Sequence, residues 1–211
     1  MEINMFISLE GPEGSGKSSQ IPALAQYLEA QGYRVLCTRE PGGTSIGDQI
    51  RAVLTSMDNP ELLPRTEILL FLAARAQLVA QVIRPALREG KIVLCDRYGD
   101  STLAYQGYGH GLDLNILRAM LNFATEGLKP DLTLLLDLDI KTGLARKKSI
   151  DEWNRLDAYE VSFHERVRSG YLQLAEEEPT RWRRVDASMP KDEVQTMLRQ
   201  IVLKRIKDKI E

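Results

Sequence analysis

Residues 11–18 have the types and the spacing of a loop that binds phosphate groups. They read G-P-E-G-S-G-K-S, which fits the pattern G-x-x-x-x-G-K-S, and they follow the apolar segment Met5–Leu9. Glycines allow consecutive backbone N–H groups to point at phosphate oxygens, and a helix beginning here adds the positive end of its dipole. Lys17 can reach the β- and γ-phosphates, and the Ser18 hydroxyl can bind Mg²⁺. The loop therefore predicts nucleoside triphosphate binding through Gly11, Pro12, Glu13, Gly14, Ser15, Gly16, Lys17 and Ser18.

Five apolar segments predict strands that alternate with predicted helices. Thr133–Leu136 is continuously apolar, which indicates a strand buried on both faces, as in a parallel sheet covered by helices. The alternation predicts one α/β domain over residues 1–211, a three-layer sandwich of a five-stranded parallel sheet with helices on both faces. The predicted strands are Met5–Glu10, Arg34–Thr38, Ile92–Asp96, Leu132–Asp137 and Trp182–Asp186. The predicted helices are Gly16–Gln31, Ser45–Met57, Pro64–Glu89, Asp113–Thr125, Leu156–Glu178 and Pro190–Lys209.

Asp96 ends the third predicted strand and is a candidate metal ligand. Ligands of open α/β sheets bind at the carboxyl ends of strands, so Asp96 should lie on the same edge as the phosphate loop. There it can help Ser18 to hold the Mg²⁺ of a bound triphosphate. The alternative is that Asp96 only caps a turn or a helix. Asp137 and Asp186 also end strands, and we predict structural roles for them.

Composition argues against several other classes of protein. The formal net charge of −2 gives no reason to expect a nucleic acid or an anionic membrane as partner. Cys37 and Cys95 lie in apolar segments and are predicted to be buried thiols, and the two histidines lack zinc spacing. No secretion signal is recognised and no apolar run approaches the ~20 residues that span a bilayer, so we expect a cytoplasmic protein.

A phosphate loop supports many reactions, so the second substrate has to be argued separately. Residues 96–99 fit the D-x-x-G pattern of GTPases, but the chain has no N-K-x-D segment to read guanine. Arg97, next to Asp96, could hold a second phosphate. Phe71 and Arg75 are four residues apart and share a helix face, where they could stack on a base and bind its polar edge. A core phenylalanine beside a solvated arginine is the alternative.

Five stretches of the chain, in order, resemble the thymidylate kinase family. They are E-G-P-E-G-S-G-K-S at 10–18, T-R-E-P-G-G-T at 38–44, F-L-A-A-R at 71–75, D-R-Y with S and A-Y-Q-G within 96–107, and P-D-L-T-L-L-L-D at 130–137. The resemblance implies the P-loop NTPase fold and phosphorylation of dTMP to dTDP, with ATP as phosphoryl donor and Mg²⁺ as cofactor. It also implies a homodimer.

The same resemblance implies roles for individual residues on the dTMP side. Glu13 would lie near the sugar 3′-hydroxyl, Phe71 would stack on thymine, and Arg75 would read a thymine carbonyl. Arg97 would clamp the acceptor phosphate. The resemblance also implies that Ser101, Tyr105 and Gln106 line the thymidine. Glu40 and Pro41 would begin the loop that forms a wall of the acceptor site. The Glu40–Pro41 bond is a candidate for the cis form.

Residues at about 143–156 resemble the mobile lid of the family. Family members carry a catalytic arginine either in the phosphate loop or in the lid, and the loop of this chain has none. The resemblance therefore implies Arg146 and Arg155 as candidate catalytic cations, which would neutralise charge on the transferred phosphoryl group. The lid departs from the common family pattern, because Asn154 precedes Arg155 where an aspartate is usual. A solvated basic helix end is the alternative.

Two other functions are compatible with the phosphate loop. One is a kinase of similar architecture that acts on another nucleoside monophosphate or small molecule. The other is a non-catalytic ATP-binding module, which would bind ATP without releasing ADP when an acceptor is added. The acceptor-side residues favour a kinase over a nucleotide sensor, since a sensor does not need them.

Overall fold

The computed structural model describes residues 3–149 and 153–210. Within these residues, five parallel strands form one sheet in the order β2-β3-β1-β4-β5. The predicted α/β class and the five-stranded parallel sheet are confirmed. Only the second strand differs from its predicted bounds, by one residue. The strands are β1 (Met5–Glu10), β2 (Val35–Arg39), β3 (Ile92–Asp96), β4 (Leu132–Asp137) and β5 (Trp182–Asp186).

Helices follow the strands and cover the sheet. Because all strands run in the same direction, their carboxyl ends meet at one edge, where the phosphate loop leaves β1. The loops that follow the strands therefore lie together at this edge of the sheet. The α-helices are α1 (Lys17–Ala30), α2 (Ser45–Thr55), α3 (Pro64–Leu78), α4 (Arg84–Arg88), α5 (Gly99–Thr102), α6 (Leu114–Thr125), α7 (Ile140–Lys148), α8 (Val161–Glu177) and α9 (Lys191–Ile210).

Two segments take the wider π-helical turn. Val79–Ile83 joins α3 to α4, so the predicted helix Pro64–Glu89 is one helical stretch with a π turn ahead of Pro85, which has no N–H for the ladder. Leu103–Gly109 continues α5, and no helix was predicted for this region. A Cβ on Gly109 would lie 2.6 Å from the Phe163 ring, so glycine permits close packing against α8.

Two further expectations need correction, and one helix was not predicted. The predicted helix Leu156–Glu178 begins only at Val161, and α7 was not predicted as a separate helix. Cys95 is buried as expected, but Cys37 is exposed because β2 is an edge strand of the sheet.

The helical stretch Pro64–Arg88 is more apolar than the sequence analysis allowed. It has 25 residues and a mean hydropathy of 1.5 in its most apolar window, so by length and composition it could cross a membrane. In the structure it contributes to the protein core through Ile68, Leu72, Leu78 and Ile83. It also buries the charged side chains of Glu67 and Arg75 against other parts of the protein. We therefore interpret it as a core helix.

Candidate active site

The phosphate loop connects β1 to α1 and lies at the centre of the carboxyl edge. Gly14 has a φ of +69°, and a Cβ there would lie 2.0 Å from the carbonyl oxygen of Gly143. Glycine is needed at Gly14 because both the backbone angle and the contact exclude a side chain. The contact also brings the beginning of α7, the first part of the predicted lid, against the loop.

The side chain of Lys17 is buried inside the phosphate loop. Its ammonium group donates hydrogen bonds to the carbonyl oxygens of Gly11 (3.1 Å) and Pro12 (2.9 Å) and to Ser15 Oγ (3.2 Å). Burial and, next, the positive charge of Arg97 lower the pKa of Lys17 to about 8, although Glu13 opposes the shift. The cation is thus held in place by the loop itself.

Ser18 and Asp96 meet at the edge of the cleft. Ser18 Oγ donates to Asp96 Oδ2 over 2.5 Å, which confirms that the end of β3 lies beside the phosphate loop. A hydroxyl and a carboxylate are suitable oxygen ligands for Mg²⁺, which usually keeps several waters and phosphate oxygens as its other ligands. No group of three or more His, Cys, Asp or Glu side chains that could hold a metal occurs in the described residues.

Arg97 lines the cleft directly beside the phosphate loop. It has a φ of 67°, and its Nη2 donates to Glu13 Oε1 (2.6 Å) and Tyr105 Oη (3.0 Å). Its Nη1 donates to the Gly11 carbonyl and to Tyr171 Oη, both over 3.0 Å. Burial opposes ionisation of Glu13, but the charges of Arg97 and Lys17 hold its pKa at about 2. Glu13 is therefore an ionised counter-ion for both cations.

The buried carboxyl group of Glu10 shares two hydrogen-bonding partners, Ser101 and Tyr171, with Arg97. Glu10 accepts hydrogen bonds from the Tyr98 backbone N–H (2.7 Å) and from Ser101 Oγ (2.6 Å), and from Tyr171 Oη over 3.2 Å. Burial and the neighbouring charge of Asp100 raise the pKa of Glu10 to about 8. Ser101 and Tyr171 also lie within reach of Arg97 Nη1. Sequence reasoning missed Tyr171, since α8 carries no motif that marks it.

Phe71 and Arg75 line the far end of the same cleft. Arg75 is only 1% exposed, so the alternative of a solvated arginine is wrong. Its Nε donates to Glu40 Oε2 over 2.7 Å, Nη1 donates to Thr102 Oγ1 over 2.9 Å, and Nη2 donates to the Tyr98 carbonyl over 3.2 Å. Glu40 Oε1 is buried without a hydrogen-bond partner within the described chain, and the Glu40–Pro41 bond is cis.

Two arginines that the sequence analysis did not single out also face the cleft. Arg39 ends β2, and Arg51 lies on α2 with its Nη1 donating to the Pro41 carbonyl over 3.0 Å. Burial and the charge of Arg39 lower the pKa of Arg51. An isolated arginine on an amphipathic helix has no sequence signal that separates it from an ordinary surface cation. The cleft has a volume of about 860 Å³ and joins the phosphate loop to the Phe71 end.

The predicted lid is divided between the cleft and the protein interior. Arg146, Lys147, Ser149, Asn154 and Leu156 line the cleft, and Arg146 Nη1 donates to the Ala187 carbonyl over 3.1 Å. Residues 150–152 of the predicted lid lie outside the described residues.

The structure does not place Arg155 where the sequence analysis expected it. Its side chain is 7% exposed and forms an ion pair with Glu67, and it does not line the cleft. Its Nε donates to the Leu54 carbonyl (2.9 Å) and its Nη1 to Tyr159 Oη (2.8 Å). Arg155 is drawn inward because the buried Glu67 carboxylate needs a counter-ion.

Every other residue predicted to bind substrate or cofactor lies at or beside this one cleft. Glu13, Gly14, Gly16, Lys17 and Ser18 line one end of the cleft, and Gly11, Pro12 and Ser15 complete the loop behind them. The cleft is also lined by the residues predicted to bind the acceptor, which are Glu40, Pro41, Phe71, Arg75, Arg97, Ser101, Tyr105 and Gln106.

A phosphate loop on the central strand, with cations on both walls of one cleft, is the arrangement that a P-loop phosphotransferase needs. The thymidylate kinase family profile matches residues 9–198. The thymidylate kinase of Roseiflexus sp. (strain RS-1) is 51% identical over 197 residues, which are 88% of this chain and 87% of that protein. That of Syntrophotalea carbinolica is 53% identical over 198 residues, covering 91% and 92%.

A solved structure agrees with the sequence comparisons. The crystal structure of thymidylate kinase from Ehrlichia chaffeensis has a TM-score of 0.78 and 31% sequence identity, and the match covers 95% of this chain and 99% of that one. The chain belongs to the thymidylate kinase family. The resemblance drawn from the five sequence stretches is thereby confirmed.

Proposed function

We propose that this protein phosphorylates dTMP to dTDP by direct in-line transfer of the γ-phosphoryl group of ATP, with Mg²⁺ as cofactor. The observation that carries the proposal is the single cleft that runs from the phosphate loop past Arg97 to Phe71 and Arg75. Two nucleotides bound end to end in this cleft would have their phosphates facing each other between Lys17 and Arg97. Membership of the thymidylate kinase family supports this choice of substrate.

The donor end is built for the triphosphate. Backbone N–H groups of the loop bind phosphate oxygens, and Lys17 exchanges its carbonyl partners for the β- and γ-phosphates. Ser18 and Asp96 would hold Mg²⁺, which when bound neutralises charge on the phosphates.

The acceptor end has groups for each part of dTMP. Arg97 and Arg51 bind the 5′-phosphate, Phe71 stacks on thymine, and Arg75 donates to a thymine carbonyl. Glu13 lies near the sugar 3′-hydroxyl, while the thymidine is also lined by Ser101, Tyr105 and Gln106, and by Glu40 and Pro41 on the opposite wall. A phosphate oxygen is already anionic, so positioning and charge neutralisation suffice without a strong general base.

Arg146 is the lid cation that completes the site, and Arg155 acts through Glu67 rather than on the phosphoryl group. Arg146→Ala should lower kcat by about 10² while ATP affinity changes little, because the cation acts on charge that develops in the transition state. Steady-state kinetics and ATP titration measure the two effects. Lys148→Ala is the matched control, since Lys148 is a neighbouring cation that does not line the cleft. Equal losses in both variants would assign the effect to net lid charge.

The pKa of Lys17 predicts a pH dependence of ATP use. With a pKa of about 8, unliganded Lys17 loses its proton as pH rises above that value, so kcat/KM for ATP should fall with increasing pH. Triphosphate charges favour the protonated form, so kcat should fall only at higher pH. Glu10 has a similar pKa, and Glu10→Gln should keep the inflection if Lys17 causes it. A flat kcat/KM profile between about pH 7 and about pH 9 would contradict this assignment.

Coupled ADP release with a panel of acceptors tests the proposed reaction. The protein should release ADP with dTMP and much less with dUMP, CMP or AMP. Strong activity on another monophosphate would support the alternative kinase. ATP binding with no acceptor-dependent ADP release would support the non-catalytic module.

The proposed working unit is a cytoplasmic homodimer of single-domain subunits, each comprising residues 1–211 with a lid at about 143–156. An exposed apolar face on the neighbouring helices α3 and α6 supports a second copy as partner, with Leu69 58%, Ile116 61% and Phe123 88% exposed. Sedimentation equilibrium should give twice the 23.8 kDa chain mass.

A further inference from the structure

We propose that Glu67 is a positioning residue that sets the hydrogen-bonding polarity of the base site by fixing the side-chain amide of Gln106. The inference rests on the proposed function and deepens it. It explains how the cleft would accept thymine and reject cytosine. Glu67 itself does not touch the substrate and acts through Gln106.

Glu67 lies at the centre of a buried polar cluster. It is 1% exposed, and its Oε1 accepts a hydrogen bond from Gln106 Nε2 over 2.8 Å. His110 Nε2 lies 3.3 Å from the same oxygen. The other oxygen accepts from Tyr159 Oη over 3.0 Å and forms the ion pair with Arg155. Donors therefore approach both oxygens of the carboxylate.

These donors keep Glu67 ionised. Burial opposes ionisation, but the nearby His110 ring, the hydrogen bonds from Arg155 and Gln106, and the charge of Arg155 hold the pKa of Glu67 at about 2. An ionised carboxylate can only accept hydrogen bonds. The Gln106 amide must therefore turn its NH₂ group towards Glu67, because its carbonyl oxygen could not accept a hydrogen bond from that side chain.

The carbonyl oxygen of Gln106 is then left for a ligand. Gln106 lines the cleft. Within the described residues, its Oε1 atom accepts no hydrogen bond, and it is not one of the unpaired polar atoms that are fully buried. Glu67, Phe71 and Arg75 are spaced four residues apart on α3 and so share one face of the helix. The residue that fixes Gln106 thus lies two turns from the arginine that reads the base.

Together, Arg75 and Gln106 present a donor and an acceptor. Arg75 is always a donor, and one N–H on Nη1 is available beyond the bond to Thr102. Thymine offers an acceptor at O4 and a donor at N3–H, which match this pair. Cytosine offers the reverse, a donor at its N4 amino group and an acceptor at N3. A cytosine would therefore place donor against donor and acceptor against acceptor.

Glu67→Gln should reverse the polarity at Gln106. In the variant, the carbonyl oxygen of the new glutamine would face the charged donor Arg155, so its NH₂ group would face Gln106. The side-chain oxygen of Gln106 would then turn towards that NH₂ group. The Gln106 NH₂ group would then face the cleft. We expect the ratio of kcat/KM for dTMP to kcat/KM for dCMP to fall by about tenfold or more, as for a mispaired polar group in a specificity site.

Two further variants separate polarity from general damage to the cluster. Tyr159→Phe removes one donor to Glu67 but leaves the carboxylate, so the dTMP to dCMP ratio should stay at the wild-type value. The exchange Glu67→Gln with Gln106→Glu keeps the net charge and again presents an obligate acceptor to the cleft. This double variant should restore the preference for dTMP. A ratio unchanged in Glu67→Gln, or lost equally in Tyr159→Phe, would overturn the proposal.

A measurement on the wild-type protein tests the proposal even if the variants fail to fold. In ¹⁵N NMR spectra of the wild-type protein, one proton of the Gln106 side-chain NH₂ should exchange slowly with water, with and without dTMP. Fast exchange of both protons would overturn the proposal. Failure of the proposed function would appear differently, as wild-type protein that releases no ADP with dTMP while the Gln106 amide proton stays protected.

Discussion

Lys17→Ala should reduce kcat for dTDP formation by a factor of about 10² to 10³ or more. Lys17 is the cation of the phosphate loop, and its ammonium group is already desolvated and aimed by three loop oxygens. A preorganised cation in such a site stabilises charge on the transferring phosphoryl group far better than a cation in water. Acceptor-dependent ADP release at saturating ATP and dTMP measures the loss.

The control for this variant must separate catalysis from folding. Lys17 pays a desolvation cost, as its lowered pKa shows, so its removal should change the free energy of unfolding much less than it changes kcat. Urea unfolding of Lys17→Ala checks this point. Lys129→Ala, at a side chain 72% exposed, should have wild-type kinetics. Near-normal dTDP formation by Lys17→Ala would refute the proposed mechanism.

Arg97→Ala should lower kcat/KM for dTMP by about 10² or more and should affect the KM for ATP much less. The Arg97 guanidinium sits between the loop and the acceptor side and is held by Glu13, Tyr105 and Tyr171. The acceptor phosphate would replace Glu13 as the partner of this guanidinium. Initial rates over a grid of both substrates give the two constants separately.

Part of the effect of Arg97→Ala will come from the carboxylate that it leaves unpaired. Arg97→Ala introduced into a Glu13→Gln background lacks that contribution, and any effect of Glu13→Gln itself on dTMP is common to both proteins in the comparison. Arg118→Ala is the matched control, because Arg118 pairs with Glu177 on the surface and its side chain is 43% exposed. Equal rises in the KM for dTMP and for ATP would move Arg97 out of the acceptor site.

The sheet and the phosphate loop could be predicted because their signals are local. β4 is buried on both faces and therefore reads as an uninterrupted apolar run, and the loop is a contiguous pattern whose residue types follow from phosphate binding. The meeting of Ser18 and Asp96 followed from topology alone, since parallel strands end at a common edge.

Residues whose roles depend on long-range partners could not be predicted. Arg155 looked like a lid cation, but a carboxylate 88 positions away, on α3, draws it into the interior. Tyr171 reaches Arg97 across 74 positions. Glu67 reads as an ordinary acidic residue in the first turn of a helix, because only the folded chain places Gln106 and Arg155 against it. No local pattern encodes such pairings.

The central place of β1 in the sheet also bears on how the chain is synthesised. β1 pairs with β3 on one side and with β4 on the other, and β4 begins only at Leu132. In a nascent polypeptide, β1 therefore lacks one of its two neighbouring strands until residues 132–137 have left the ribosome. Such distant pairings make folding slow and expose apolar strand edges. We expect ATP affinity to arise late in translation and premature termination to yield aggregation-prone fragments.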